Sequence, residues 1–207
     1  MSRSIVYIDG FNMYYGAIRG GPHKWLDLQN YFTRLRQADE IQKIYYFSAL
    51  VGGPSRARQQ DYLRALETLP LVKVVLGRFK NKQVKCLETS CQHPGRRLFQ
   101  MPEEKHTDVN IAVQMVVDAF QDTCERMILV SGDSDLVPGV SRVKNLFPNK
   151  EVIVYVPSSD PVRGAAVELR SCADKARDLP LQLMAKAQFP ARVPDGAGGF
   201  IEKPVGW

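Results

Sequence analysis

Short apolar runs alternate with helical patterns along most of the chain, and this alternation restricts the fold more than any other feature. The strand-like runs are residues 4–8, 41–51, 71–76, 126–130 and 151–156, and the helical patterns are 55–69, 107–123, 135–146 and 162–169. Strands that are almost continuously apolar are typical of a parallel sheet that helices cover on both faces. The sequence therefore predicts an α/β fold with a mostly parallel central sheet.

The 207 residues fit one domain with a modest appendage. We predict a domain over 1–187 and a C-terminal tail over 188–207, where repeated Pro and Gly suggest poor packing. A basic insertion at about 77–103 interrupts the domain, and its alternation predicts a hairpin or an ordered loop. In the helix over 107–123, the expected apolar face consists of Val109, Ala112, Val113, Val116, Val117 and Phe120.

The net charge of +6 is concentrated in one segment. Between Lys73 and Arg97 there are seven basic residues and a single acid, Glu88, whereas the rest of the chain has 21 of each sign. A clustered charge of this kind points to a polyanionic partner, although a solvated face is the simpler alternative. The candidate nucleic-acid-binding residues are Arg78, Lys80, Lys82, Lys85, Arg96 and Arg97.

The cysteine count and the hydropathy pattern predict a cytoplasmic protein. Four cysteines are too few for a disulfide scaffold, and the start of the chain does not resemble a signal peptide. No segment approaches the ~18 uninterrupted apolar residues that a membrane span requires.

Acidic residues follow several predicted elements at what would be one edge of the sheet. Asp9 ends the first strand, Asp133 and Asp135 follow the fourth, and Asp108 lies in the first turn of the long helix. Each alone could be a helix cap. Together they would raise one another's pKa unless a cation were bound, and a site made of carboxylate oxygens suits Mg²⁺ or Mn²⁺ better than zinc.

These acids lie in three segments that resemble the signature segments of a known family. The segments IDGFN (8–12), EKHTDVNIA (104–112) and VSGDSDL (130–136) look like those of the NYN domain, a branch of the PIN-like nucleases that includes the LabA-like proteins. The resemblance spans about residues 4 to 175. It implies a Rossmann-like PIN fold and a metal-dependent nuclease site that acts on RNA.

The resemblance also implies roles for individual residues. Asp9, Asp108, Asp133 and Asp135 would bind one or two metal ions, and Asn12 would orient Asp9 or a metal-bound water. Ser131 and Ser134 would support the acids through hydrogen bonds. The metal would polarise the phosphate and activate water, and the products would carry a 5′ phosphate and a 3′ hydroxyl.

Lys105 precedes the helix that carries Asp108 and matches a lysine of the family segment. It could contact a substrate phosphate, or it could be a solvated lysine that pairs with Glu103 or Glu104.

The basic insertion contains a weaker metal-binding pattern. Cys86, Cys91 and His93 could supply three ligands to a structural zinc, but a second cysteine pair is missing, so reduced thiols are the favoured interpretation.

Several aromatic residues could stack on exposed bases or belong to the core. These are Tyr14, Tyr15, Trp25, Phe79 and Phe99.

Two other functions compete with the nuclease hypothesis. A haloacid-dehalogenase-type phosphatase needs a second acid two residues after Asp9, and this chain has Phe11 there. A regulatory or RNA-binding domain that has lost catalysis remains the stronger alternative. DNA as a substrate and a homodimer as the assembly stay open.

Overall fold

A computed structural model describes residues 1–88, 90–92, 98–158 and 166–207. Its central sheet contains six strands, and a separate hairpin and a small C-terminal ribbon add four more. In chain order the strands are β1 (Ser2–Asp9), β2 (Asp39–Ser48), β3 (Val72–Leu76), β4 (Arg78–Lys85), β5 (Leu98–Lys105), β6 (Arg126–Val130), β7 (Glu151–Val156), β8 (Lys175–Asp178), β9 (Arg192–Pro194) and β10 (Phe200–Glu202).

The central sheet is parallel throughout and has the order β3-β2-β1-β6-β7-β8. The chain moves outward in one direction from β1 to β3 and then in the other direction from β6 to β8. In open parallel sheets a ligand crevice forms at the carboxyl ends of the two strands where this direction reverses. The topology therefore places a crevice after β1 and β6, and the predicted α/β fold is confirmed.

Helices cover both faces of the sheet. They are α1 (Gly10–Met13), which continues into a π-helical turn, and α2 (Leu28–Leu35), α3 (Arg56–Glu67), α4 (Thr107–Phe120), α5 (Val137–Leu146) and α6 (Val167–Cys172). The helices α2 and α3 pack in one core layer, and α4, α5 and α6 pack in the other. Within the described ranges, no helix is both long and apolar enough to cross a membrane.

The basic insertion forms the antiparallel hairpin β4–β5, as the alternation predicts. Arg78 pairs with Lys105 at its base, and Lys85 pairs with Leu98 at the far end. Because side chains alternate between the two faces of a ribbon, neighbouring residues of one strand point in opposite directions.

The predicted apolar face of α4 is wrong. Val109, Val113, Val117 and Phe120 are exposed, and the buried positions are instead Thr107, Ile111, Met115, Asp118 and Ala119. The rotation has a polar cause, since Asp118 accepts a hydrogen bond from the buried Tyr7 hydroxyl at 2.8 Å. A buried pair of this kind stabilises one rotation of the helix that hydrophobicity alone does not select.

The expectation of a poorly packed C-terminal tail is also wrong. Trp25 donates a hydrogen bond from its indole nitrogen to the Pro190 carbonyl at 2.8 Å, and its ring lies 6.4 Å from that of Trp207. Phe189, Val193 and Ile201 are buried in the same core layer as α2 and α3. The tail therefore covers this face of the sheet.

Candidate metal centre

The first strand ends on a buried carboxylate at the crevice. Asp9 has 4% of its surface exposed. Its Oδ1 accepts a hydrogen bond from the Asn12 backbone N–H at 2.9 Å, and its Oδ2 accepts one from the Ser131 hydroxyl at 3.0 Å. Asp9 thus caps α1 and, through Ser131, joins the ends of β1 and β6.

Three of the four predicted metal-binding acids come together at this edge. Oxygen atoms of Asp9, Asp108 and Asp133 all lie within 4.8 Å of one another. Asp135 is exposed and lies outside that set, but its backbone N–H donates to Asp133 Oδ1 at 3.0 Å. Asp133 is therefore held as the cap of the short turn Ser134–Leu136.

The surrounding polar groups fix these carboxylates. Asn12 Oδ1 accepts a hydrogen bond from the Gly132 backbone N–H at 2.8 Å, and the Asp133 backbone N–H donates to Ser131 Oγ at 3.1 Å. Asn12 and Ser131 therefore each tie the loop after β6 to the loop after β1. Ser134 is exposed in its turn.

The electrostatics of the centre favour a bound cation. Burial, together with the charges of Asp108 and Asp133, raises the pKa of Asp9 to about 6, although the hydrogen bonds from Asn12 and Ser131 lower it. Burial also raises the pKa of Asp108, together with the charges of Asp133 and Asp135. A positive ion would relieve both effects. The donors are all carboxylate oxygens, which fits a hard divalent ion such as Mg²⁺ or Mn²⁺.

A fifth acid, Glu104, belongs to this environment and was not anticipated from the sequence. Burial, followed by the charges of Asp9 and Asp108, raises the pKa of Glu104 to about 7. Its Oε1 is buried and makes no hydrogen bond with any residue that the structure describes. The sequence signal that could have identified Glu104 is the alternation of side chains along the hairpin. Glu104 pairs with Phe79, so the two side chains share one face of the hairpin. The Phe79 ring contacts Phe11, which lies two residues after Asp9.

Lys105 points in the other direction. Its ammonium lies 2.9 Å from Glu103 Oε1, and this contact lowers the pKa of Glu103. The structure therefore brings Lys105 to Glu103 and not to the three acids, in agreement with the simpler of the two interpretations above.

The basic residues of the hairpin are exposed but are not equivalent. Arg78, Lys80 and Lys82 share the face of Lys105, and Lys85 lies on the opposite face. Lys82 lies 3.8 Å from Glu103, whereas Arg78, Lys80 and Lys85 have no ion pair within the described ranges. Arg96 and Arg97 lie outside the described residues.

The zinc prediction is not resolved by the structure. Cys86 and Cys91 follow β4 as half-buried free thiols, and His93 lies outside the described residues.

The aromatic candidates divide between core and surface. Trp25 is completely buried, whereas Tyr15 and Phe99 are exposed. Phe79 lies at the root of the hairpin, with its ring edge-on to that of Phe11 at 5.6 Å.

Removing the charge of Asp9 should stabilise the metal-free protein. The folded-state pKa of Asp9, about 6, lies above its unfolded value of 3.8, so the folded protein binds this proton more tightly. Above pH 6 the ionised Asp9 carboxylate lowers the free energy of unfolding by up to about 3 kcal/mol, and this destabilisation disappears as the pH falls. In EDTA at pH 8, urea unfolding should show Asp9→Asn to be roughly 1 to 3 kcal/mol more stable than wild type.

The control is Asp61→Asn, which changes an exposed carboxylate paired with Arg64 and should leave stability within about 0.5 kcal/mol of wild type. At pH 4.5 the difference between Asp9→Asn and wild type should shrink. If Asp9→Asn and wild type were equally stable at pH 8, the ionised Asp9 carboxylate would not destabilise the metal-free protein.

Comparison with known proteins places this centre in a family. The family described as NYN domain matches residues 3–180. The 6-hydroxy-3-succinoylpyridine 3-monooxygenase HspA of Pseudomonas putida is 28% identical over 237 aligned positions, which cover 99% of this chain and 75% of that protein. The Low amplitude and bright protein LabA of Synechococcus elongatus is 28% identical over 185 positions, which cover 86% of this chain and 84% of LabA.

A solved structure shares the fold. A protein of unknown function from Vibrio parahaemolyticus superposes with a TM-score of 0.56 at 21% identity, over 86% of this chain and 93% of that one. This likeness concerns the fold alone.

Proposed function

Because the chain belongs to the NYN domain family, in its LabA-like branch, we propose that it is a divalent-metal-dependent ribonuclease that cuts RNA internally. The NYN domain implies a PIN-like nuclease family. The observation that carries the proposal is the convergence of Asp9, Asp108 and Asp133 at the reversal point of the sheet. Their arrangement supports hydrolysis without a nucleophilic side chain.

The chain's own residues have distinct tasks in this proposal. Asp9, Asp108 and Asp133 would hold Mg²⁺ or Mn²⁺, with Asp135 beside them. When bound, the ion supplies positive charge that stabilises the reacting phosphate and makes water a stronger acid. Asn12 and Ser131 keep the acids in place through the bonds described above. Within the described ranges, the side chains of Ser134 and Lys105 make no hydrogen bond or ion pair with the three acids, so neither is given a direct role here.

Glu104 adds a proton-accepting group to this edge. Its buried Oε1 has no hydrogen-bond partner in the described part of the chain, so it is available to accept a hydrogen bond from a water molecule in the crevice.

The basic hairpin would hold the RNA backbone at a distance from the acids, since Arg78 and Lys80 share the face of Lys105, opposite to that of Glu104. Replacing Arg78, Lys80 and Lys85 together by Gln should weaken RNA binding and lower the slope of log Kd against log salt by about 2, at ~0.7 per phosphate contact for a single strand. Fluorescence anisotropy between 50 and 300 mM salt measures this slope. Lys82→Gln is the matched control, because Glu103 already offsets that charge and the slope should change by less. An unchanged slope in the triple variant would exclude the hairpin as the RNA track.

A second candidate function comes from the relative named HspA. That similarity covers 99% of this chain, and a cavity of about 310 Å³ with aromatic walls lies beside the acids. Oxidation of a pyridine is therefore tested separately, by following 6-hydroxy-3-succinoylpyridine in air with a nicotinamide reductant. Consumption of the pyridine above that of heat-treated protein would support this function, and consumption equal to it would exclude it.

A labelled 30-nucleotide RNA tests the proposal. With MgCl₂ or MnCl₂ we expect internal cleavage that leaves 5′ phosphates and 3′ hydroxyls, and in EDTA we expect none. Cleavage of the same sequence made as DNA measures the preference for ribose over deoxyribose. Absence of cleavage in every metal would favour the RNA-binding or regulatory alternative.

A further inference from the structure

A cavity of about 310 Å³ opens next to the acids, between the turn after β1 and the loop after β2. It lies within the range of about 300 to 1,000 Å³ that is usual for ligand sites. Its aromatic lining consists of Phe11, Tyr14, Tyr15, Tyr46, Tyr62 and Trp207. Phe11 follows Asp9 by two positions, so one wall of the cavity adjoins the metal centre.

Tyr46 gives the cavity a buried polar group. It is 8% exposed and lines the cavity, and its hydroxyl is not among the buried polar atoms that lack a partner in the described ranges, so the hydroxyl is accessible from the cavity. A Cβ added to Gly10 would lie 2.8 Å from this hydroxyl, so the absence of a side chain at Gly10 leaves room for Tyr46 beside the start of α1. A hydroxyl that is accessible from a cavity can exchange a hydrogen bond with water for one with a ligand.

The rim of the cavity is cationic. Lys24 and Arg58 belong to its lining, and no acidic residue does. In the part of the chain that the structure describes, neither cation pairs with a carboxylate, and Arg58 has only a 3.4 Å contact with the Ser55 hydroxyl. Unpaired cations around an aromatic cavity suit an anionic ligand with a planar apolar part.

The aromatic wall continues into the basic hairpin. The rings of Phe11 and Tyr15 are nearly parallel, with centroids 6.3 Å apart, and Phe79 of β4 meets Phe11 edge-on. The ring contacts therefore connect the cavity wall to Phe79, on the hairpin face that also carries Glu104.

We infer that this cavity binds one nucleobase of an RNA strand whose backbone crosses the metal centre, with Lys24 and Arg58 near the adjoining phosphate. The inference rests on the proposed function and deepens it by assigning a base-binding subsite. Base faces stack on aromatic rings in single-strand binding proteins. The Tyr46 hydroxyl supplies a hydrogen bond to the edge of the base.

Gly52 permits a clean block of the cavity. It lines the cavity, its φ of −85° suits any residue, and a Cβ there would meet no atom within 4 Å. Gly52→Trp should therefore fill the cavity without backbone strain, and Gly52→Ala is its matched control. Tyr46→Phe keeps the ring and removes only the hydroxyl. Thermal unfolding of all three variants verifies that they are folded.

The experiment compares two fluorescent pentanucleotides in EDTA, one of mixed RNA sequence and one with the same backbone but no bases. Anisotropy gives Kd for each, and their ratio isolates the contribution of the bases. Wild type and Gly52→Ala should bind the baseless strand about tenfold or more weakly. In Gly52→Trp the ratio should fall at least fivefold, and in Tyr46→Phe about two- to tenfold.

The outcomes separate this inference from the proposed function. If Gly52→Trp has the same ratio as Gly52→Ala, the subsite is excluded even when the wild type cuts RNA. If the ratios differ as expected but no metal supports cleavage, the subsite stands and the nuclease proposal fails. The inference would be overturned if the wild type bound both strands with the same Kd and calorimetry showed that nicotinate binds to the cavity. The ligand of the cavity would then be a free heteroaromatic acid.

Discussion

Asp133→Asn should lower the rate of RNA cleavage by at least about 10³-fold, which corresponds to about 4 kcal/mol of transition-state stabilisation. The variant removes one of the three converging carboxylate charges. Its amide oxygen can still accept the Asp135 N–H, so the turn Ser134–Leu136 should keep its shape. The measurement is the single-turnover rate on labelled RNA in MnCl₂, with thermal unfolding as the test of folding.

Asp61→Asn is again the matched control, because it makes the same chemical change on an exposed helix surface. It should cleave at the wild-type rate. If Asp133→Asn kept more than a tenth of wild-type activity, the acids at this edge would not carry the reaction, and equal rates would indicate a contaminating nuclease.

Asp39→Ala should cost about 3 to 5 kcal/mol of folding free energy. The Asp39 carboxylate is fully buried and accepts hydrogen bonds from Ser4 at 3.0 Å, from Arg36 at 2.7 Å and from Arg126. Its removal leaves two partly buried guanidinium groups without this partner. Urea unfolding at pH 7 measures the loss, and a change below 1 kcal/mol would contradict the account.

The pH dependence of Asp39 provides a second test. Burial alone would raise its pKa, but the hydrogen bonds from Arg36 and Ser4 and the charges of Arg36 and Arg126 together lower it. A depressed carboxylate pKa contributes stability above the unfolded value, and that stability is lost as the pH falls. The stability difference between Asp39→Ala and wild type should therefore narrow in acid.

Because Asp39 lies at the amino edge of the sheet, the folded variant should still cleave RNA.

The parallel sheet and the centre could be anticipated because both depend on local sequence signals. The apolar runs predict where the strands lie, and Asp9 ends β1 while Asp133 follows β6, the strand that pairs with β1. Asp108 joins them from the first turn of α4. These are properties that spacing encodes directly.

The features that were missed depend on contacts between distant residues. The rotation of α4 follows from the bond between Tyr7 and Asp118, and the packing of the tail depends on Trp25, which meets Pro190 and Trp207. Helix α2 has only eight residues, and strand β8 is a short, mostly exposed edge strand. Weak local patterns of this kind become ordered through tertiary packing.

Glu104 shows that the register of a hairpin determines which of two neighbouring charged residues faces a site. In the sequence it is one of two adjacent glutamates before Lys105, and only its place in the segment 104–112 and in the alternation of the hairpin distinguishes it from Glu103. In the hairpin the two alternate, so Glu103 pairs with Lys105 and Glu104 faces the acids. A sequence alone does not specify which of two adjacent residues faces a site until the pairing is known.

The most direct test of the central claim is a calorimetric titration of MnCl₂ into the wild-type protein and into Asp133→Asn at pH 7.5. The wild type should bind Mn²⁺ saturably, and the variant should bind it at least about tenfold more weakly, because a ligand carboxylate is lost. Equal Mn²⁺ affinities in the two proteins would contradict the claim that Asp9, Asp108 and Asp133 form the metal centre.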